Sequence, residues 1–190
     1  MTAAAQLRVL RHRDRAPGPW ANGGGLTYEV LRSPAHVENF DWRLSVAEVA
    51  AEGPFSSYPG VDRILLLLSG TMRLTIDGDA HDVPLFTPQH FRGEAAVTSA
   101  LPSGPTMDLN VMTRRGRATA DVAVVRETDL LIAPTPGADV AVVLLEGSRT
   151  AEGLDEPLVA WDCAVVGAPL TLRGDGALAV ITIRPGADNL

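Results

Sequence analysis

Short apolar runs recur along the chain, and clusters of Gly and Pro separate them. Runs of this length, rich in Val, Leu and Ile, predict β-strands, and no long stretch holds a 3.6-residue apolar period. The pattern predicts strands over Arg43–Ala50, Arg63–Ser69, Thr71–Asp77, Thr106–Thr113, Val122–Val125, Val140–Leu145, Pro157–Val166, Pro169–Leu172 and Ala177–Ile183. Asp77-Gly78 and Gly174-Asp175-Gly176 carry tight-turn chemistry, because Asp and Gly accept positive φ at low cost. Many short strands with turns roughly every 8–12 residues describe a sandwich or a barrel.

Alternation within the strands sorts residues into faces. Arg63, Leu65 and Leu67 share one face, and Ile64, Leu66 and Leu68 take the other. Arg43, Ser45 and Ala47 share a face opposite Trp42, Leu44 and Val46. Asp108, Asn110, Met112 and Arg114 share a face opposite Met107, Leu109 and Val111. A guanidinium on an apolar strand is costly to bury without a partner. Three arrangements resolve that cost: an Arg63 that snorkels to water at the strand's mouth, an Arg43–Arg63–Asp108 ion-pair group, or a fixed cation inside a barrel that receives a carboxylate in a bidentate fork.

A weak internal repeat adds domain organisation. Residues 63–70 read RILLLLSG and residues 140–147 read VAVVLLEG, and similar elements follow each at similar spacing. Two copies of one β-barrel unit account for this. Val140 stands where the first copy has Arg63, so a polar site is expected in the first barrel alone.

Composition narrows the function classes. The chain has 190 residues, 46% of them apolar, which suffices for a packed core. A net charge of −7 argues against nucleic-acid binding, although Arg8, Arg11, Arg13 and Arg15, and Arg114, Arg115 and Arg117, form local basic clusters. Cys163 is the only cysteine, so no intrachain disulfide forms, and its neighbours offer nothing to activate a thiol. The start, Met1 to Leu10, lacks the pattern of an export signal, and the longest aliphatic run, Ile64 to Leu68, is far short of a membrane span. A soluble, cytoplasmic protein is expected.

No metal is expected. Metal-binding cupin barrels carry His-x-His, three or four residues, Glu, six residues, Gly. Counting back from Gly70 puts Arg63 at the glutamate, and Ser56 with Tyr58, or Ser57 with Pro59, at the histidines. None is a suitable ligand, and a guanidinium repels a cation. The histidines His12, His36, His81 and His90 have no paired ligand spacing. The stretch Trp20 to Thr27, with Gly23, Gly24 and Gly25, is no phosphate loop, because Gly-Lys-Ser/Thr and a following helix are missing. Three glycines in a row predict a backbone that bends sharply or passes close to something.

These residues resemble the HutD/Ves family. Trp20, Asn22, Gly23, Gly24, Gly25, Thr27 and Glu29 are similar to its W-x-N-G-G-G-x-T-x-E opening. Residues 41–49, DWRLSVAEV, resemble its W-R-x-S-x-A-x-V strand. Gly53-Pro54-Phe55-Ser56 with Pro59-Gly60-Val61-Asp62-Arg63 resembles G-P-F-S-x-x-P-G-x-x-R, Phe91-Arg92-Gly93 resembles F-x-G, and residues 108–112 are its D-L-N-V-M. The matches run in order from Trp20 to about Arg115, and the second half matches only in pattern.

The resemblance implies an all-β bicupin, two fused jelly-roll barrels over residues 1–116 and 117–190, with strands free to exchange between halves. It implies no known reaction, no cofactor and no catalytic residue. HutD-like members are thought to bind a histidine-degradation intermediate such as urocanate or formiminoglutamate and so limit flux, and Ves-like members are linked to stress. Nothing in the sequence separates these branches. On this reading Arg63 and Arg43 hold a small carboxylate. Ser45, Ser56, Asn22, Asp108 and Asn110 supply hydrogen bonds, and Phe55 and Trp42 wall the pocket. No nucleic-acid or membrane partner is expected, and a homodimer is allowed. The alternatives are a metal-independent isomerase or hydrolase of an imidazole- or amide-containing acid, with Asp108 or Glu29 as acid or base, and a structural or interaction protein.

Overall fold

The structure, a computed structural model, describes residues 7–20, 22–35 and 39–186. The chain start at 1–6, Ala21 of the glycine segment and His36 lie outside the described residues. The protein is all-β, with 56% of it in strands, and the described residues include one short 3-10 turn, His12–Asp14, and no α-helix.

The strands are β1 Arg8–Leu10, β2 Pro17–Pro19, β3 Gly25–Ser33, β4 Trp42–Val49, β5 Gly53–Pro54, β6 Val61–Ser69, β7 Arg73–Ile76, β8 Asp79–Asp82 and β9 Gln89–Arg92. They continue with β10 Val97–Ala100, β11 Thr106–Arg114, β12 Ala118–Val125, β13 Asp129–Ile132, β14 Asp139–Leu144, β15 Ser148–Thr150, β16 Cys163–Val165, β17 Leu170–Asp175 and β18 Leu178–Pro185. Chain contacts divide the protein into two units. One comprises residues 15–119 with 186–190, and the other residues 1–14 with 120–185. A single boundary after residue 116 is expected from the sequence. In the structure β1 pairs antiparallel with β16, so the start of the chain belongs with its second half.

In the first unit, a six-stranded sheet of order β2-β3-β4-β11-β6-β9 and a four-stranded sheet of order β5-β10-β7-β8 share one core. Leu65, Leu67 and Phe91 from the first sheet meet Leu74 and Val97 from the second, with Met72, Val83 and Leu101 between. Burial of each such Leu or Phe contributes roughly 1.5–3 kcal/mol. The opposite face of the large sheet carries Leu44, Val46, Leu66, Leu109 and Val111, also buried. Burial on both faces explains why β6 reads as a continuous aliphatic run. The β7–β8 hairpin turns at Asp77 and Gly78, both with positive φ, as that dipeptide predicts.

The second unit repeats the plan with a five-stranded sheet, β1-β16-β14-β18-β12, and a three-stranded sheet, β13-β17-β15. Val140, Val142, Leu144, Ala164 and Leu178 of the first meet Ile132, Leu170 and Leu172 of the second. One predicted strand is corrected here. Of Pro157–Val166 only Cys163–Val165 is strand. Trp161 has a φ of 73°, and the Asp162 carboxylate accepts from the Val159 and His12 amides and from Arg11, which fixes the preceding residues as a loop. Leu158 keeps a single isolated bridge to Arg149.

Candidate functional site

Registers in the six-stranded sheet turn its inward face into a grid. Arg43 and Arg63 both lie opposite Met112 of β11, on either side of it. Arg32 of β3 lies opposite Arg43, and Phe91 of β9 lies opposite Arg63. One row across the sheet therefore reads Arg32, Arg43, Met112, Arg63, Phe91. Ser45 and Leu65 flank Asn110 in the next row, with Glu29 beyond Ser45, and Ala47 and Leu67 flank Asp108 in the row after. With neighbouring strands about 4.8 Å apart, the Arg43 and Arg63 backbones stand roughly 10 Å from one another.

This grid floors a cavity of about 880 Å³. Trp20, Phe55, Ser56 and Tyr58 wall it, together with Pro17, Pro19 and Asn22. The glycine segment shapes the rim. Gly23 has a φ of 70°, and a Cβ on Gly25 would come within 2.2 Å of the Glu48 carbonyl and 3.2 Å of the Trp20 ring. The predicted sharp bend and close approach are both present. The Trp20 indole donates to Thr27 Oγ1 at 2.8 Å and meets Phe55 edge-on.

Arg63 sits at the apolar end of the row. It is 6% exposed, and its guanidinium lies 4.9 Å from the Phe91 ring centre, 5.2 Å from that of Phe55 and 5.8 Å from that of Tyr58. Such ring faces attract a cation but do not neutralise it. Its Nη2 donates to Asn110 Oδ1 at 2.7 Å, its Nε has no partner, and among the described residues no carboxylate lies within ion-pair distance. Burial lowers its pKa, and the charge of Asp108 works against that shift. Asn110 spends its other end on Asp108, donating from Nδ2 to Oδ1. Asp108 is 1% exposed. Burial pushes its carboxyl up to about 7, against the pull of Arg63.

The other end of the row is compensated. Glu29 accepts from Arg32 Nε at 2.8 Å, from Arg32 Nη2, and from Arg43 Nε at 3.1 Å. Burial alone would raise the Glu29 carboxyl, but Arg32 and then Arg43 outweigh it and hold it below the ordinary carboxylate range. Three guanidiniums thus line the cavity against two carboxylates, one of which is only partly ionised near neutrality. The site carries surplus positive charge.

Arg63, Arg43, Ser45, Ser56, Asn22, Asp108, Asn110 and Phe55 all line this cavity. Asn22 has its Oδ1 engaged by the Gly24 amide at 3.0 Å. Trp42 does not line it and is corrected: it precedes Arg43 on β4, so alternation sends it to the opposite sheet face. Arg32 was missed for a related reason. A register shift between Glu29 and Leu31 inserts an extra residue, so Glu29 and Arg32, three apart, face the same way.

A metal does not fit these residues. Ser56, Tyr58 and Arg63 occupy the positions a metal-binding cupin gives to its ligands, and among the described residues no group of three or more His, Cys, Asp or Glu side chains is placed to hold an ion. The described residues include no helix long and apolar enough to cross a membrane.

Fold and site together define an all-β, cupin-like protein with an arginine-floored cavity. The HutD family model matches residues 12–181, and the chain belongs to the HutD family. It is 39% identical over 112 residues to Protein Ves of Citrobacter koseri, covering 57% of this chain and 59% of that protein. It is 39% identical over 111 residues to a 21.2 kDa protein in the hutC 3′ region of Pseudomonas putida, covering 57% and 58%. The chain thus spans less than two thirds of the length of these curated relatives. The structure of HutD from Pseudomonas fluorescens superposes with a TM-score of 0.82 at 29% identity, covering 94% of this chain and 98% of that one. The bacterial pirin YhhW of Escherichia coli, in complex with nickel, superposes with a TM-score of 0.68 at 11% identity over 95% and 100% of the chains, a likeness of fold alone.

Proposed function

We propose that the protein binds a small carboxylate in the cavity of its first unit and performs no chemistry on it. One observation carries this reading: Arg63 is buried, donates to a neutral amide, keeps an unpartnered Nε and lines a cavity. A cation so placed is costly unless an anion joins it. Arg63 and Arg43 hold the carboxylate, with Ser45, Ser56, Asn22, Asp108 and Asn110 within the same cavity to hydrogen-bond it and Phe55 to cover it. The pair of sheets around one core in each unit supports a two-barrel, bicupin arrangement, with the site confined to the first.

Family membership and the relative in the hutC 3′ region support a role in histidine utilisation. On that reading the protein works in the cytoplasm and regulates flux by sequestering an intermediate such as urocanate or formiminoglutamate. Titration calorimetry with urocanate and with formiminoglutamate tests this. Saturable binding at one per chain, lost in Arg63→Met, is expected, and saturable binding that survives that change rules out the site.

A metal-independent acid–base enzyme is the second reading, favoured by Asp108, a buried carboxyl at the cavity held up to about 7. Turnover of urocanate that disappears in Asp108→Asn would select it.

A further inference from the structure

Asp108 lines the cavity and is built into the same chain of contacts as Arg63. Its Oδ1 accepts from Asn110 Nδ2, and the Oδ1 of that amide accepts from Arg63 Nη2. The amide has a direction, and its direction requires an acceptor at Asp108 and a donor at Arg63. Asp108 is flanked by Ala47 of β4 and Leu67 of β6, neither of which offers a charge. The other charged or titratable groups on the cavity are Glu29 and Arg32 of β3, Arg43 of β4 and Tyr58 of the loop before β6. Glu29 is already held by Arg32 and Arg43. Arg63 is therefore the cation whose field favours the ionised form of Asp108 against its burial, as well as the cation left open to the cavity.

We infer that the cavity takes up an anion and a proton together, and that Asp108 receives the proton. This rests on the carboxylate-binding reading above. An anion that reaches Arg63 shares one buried cation with the Asp108 carboxylate. Two anions beside one buried cation are relieved when one is neutralised, as in paired carboxylates. Asp108 is the cheaper to neutralise, since burial has already raised its carboxyl to about 7. The proton comes from solvent and forms an O–H bond at Asp108 Oδ2. Oδ1 stays an acceptor, so the bond from Asn110 and the aim of Arg63 persist. Asp108 is a positioning residue here, acting on the ligand through Asn110.

The sign follows from linkage. Binding raises the proton affinity of Asp108, so anion affinity grows as pH falls through neutrality and weakens as pH rises, by up to about tenfold per pH unit. Formate is the probe, because its own carboxyl titrates far below this range. Calorimetry of formate binding to the full chain at pH 6 and 8.5, in two cationic buffers of different ionisation enthalpy, reads both affinity and protons exchanged. Wild type is expected to bind more than tenfold tighter at pH 6 than at pH 8.5 and to take up nearly one proton per formate at pH 8.5. Asp108→Asn is expected to bind with no pH dependence and no proton uptake. Formate binding in wild type with a flat pH profile and no proton uptake overturns the inference and leaves carboxylate binding standing. An unchanged pH profile in a folded Asp108→Asn overturns it too, by sending the proton elsewhere. Should that variant fail to fold, the two-buffer comparison on wild type decides alone. No formate binding at either pH removes the inference and the binding reading together.

Discussion

Each unit buries an arginine, and the two are used in opposite ways. Arg149 of β15 is fully buried, and its terminal nitrogens donate to three backbone carbonyls, those of Glu127, Thr128 and Gly176, at 2.6, 2.9 and 2.8 Å. It ties the approach to β13 to the β17–β18 turn. Arg63 is buried almost as deeply but makes a single hydrogen bond, to a neutral amide, and lines a cavity. The Nε of each has no partner, so the terminal nitrogens make the difference. A buried cation whose two terminal nitrogens are both spent on fixed carbonyls is architecture. One whose donors remain open beside a cavity is a receptor. Burial does not separate the two cases; the count of committed donors does.

Arg149→Met should have the largest effect on stability. It removes three part-buried hydrogen bonds from a charged donor, each worth about 1.5–3 kcal/mol, and removing the charge offsets part of that, so unfolding free energy should fall by about 3–5 kcal/mol in urea. A loss under about 1 kcal/mol would erase the contrast with Arg63.

Asp108→Asn should act in the other direction. The folded carboxyl lies near 7 against an ordinary 3.8. Stability from this group is complete below the unfolded value and is lost as pH rises from about 4 through about 7, a span worth at most on the order of 4 kcal/mol. At pH 8 the variant should gain about 1–3 kcal/mol over wild type, and its pH dependence between 4 and 7 should flatten. Chemical denaturation at pH 5 and pH 8 checks both. A variant less stable than wild type at pH 8 would mean that the ionised carboxylate is well satisfied.

Glu29→Gln should be milder still. The pair is partly exposed, so stability should shift by less than about 1 kcal/mol. Anion affinity should rise, because Arg43 loses its internal carboxylate. Weaker formate binding in this variant would show that Glu29 orients Arg43 more than it competes for it.

Much of the site was legible from alternation. Arg43 with Ser45, Arg63 with Leu65, and Asp108 with Asn110 each stand on one face of a strand, and the structure places those faces on one cavity floor. The same rule put Trp42 outside the pocket, and naming it a wall set the family motif above the strand's own period. Arg32 was invisible because the extra residue beside Glu29 resets parity, and nothing local marks Val30 as the bulge. Long aliphatic strands such as β6 and β14 were readable, whereas β2, β5, β9 and β10 are short, polar or Pro-containing and owe their pairing to the sheet they join. The Pro157–Val166 prediction overran because its apolar residues belong to a loop that Asp162 pins, a long-range effect of Arg11 and His12.

The central claim is that Arg63 waits for a ligand. Paired measurement on Arg63→Met, thermal or urea unfolding alongside urocanate or formiminoglutamate binding, tests it directly. Met keeps most of the stem's packing and removes a charge with one committed donor. Stability should change by only about 0–1 kcal/mol, in either direction, while carboxylate binding weakens by roughly 2–4 kcal/mol. A loss of about 3–5 kcal/mol in stability with binding unaltered would contradict it, and would make Arg63 the structural counterion of Asp108.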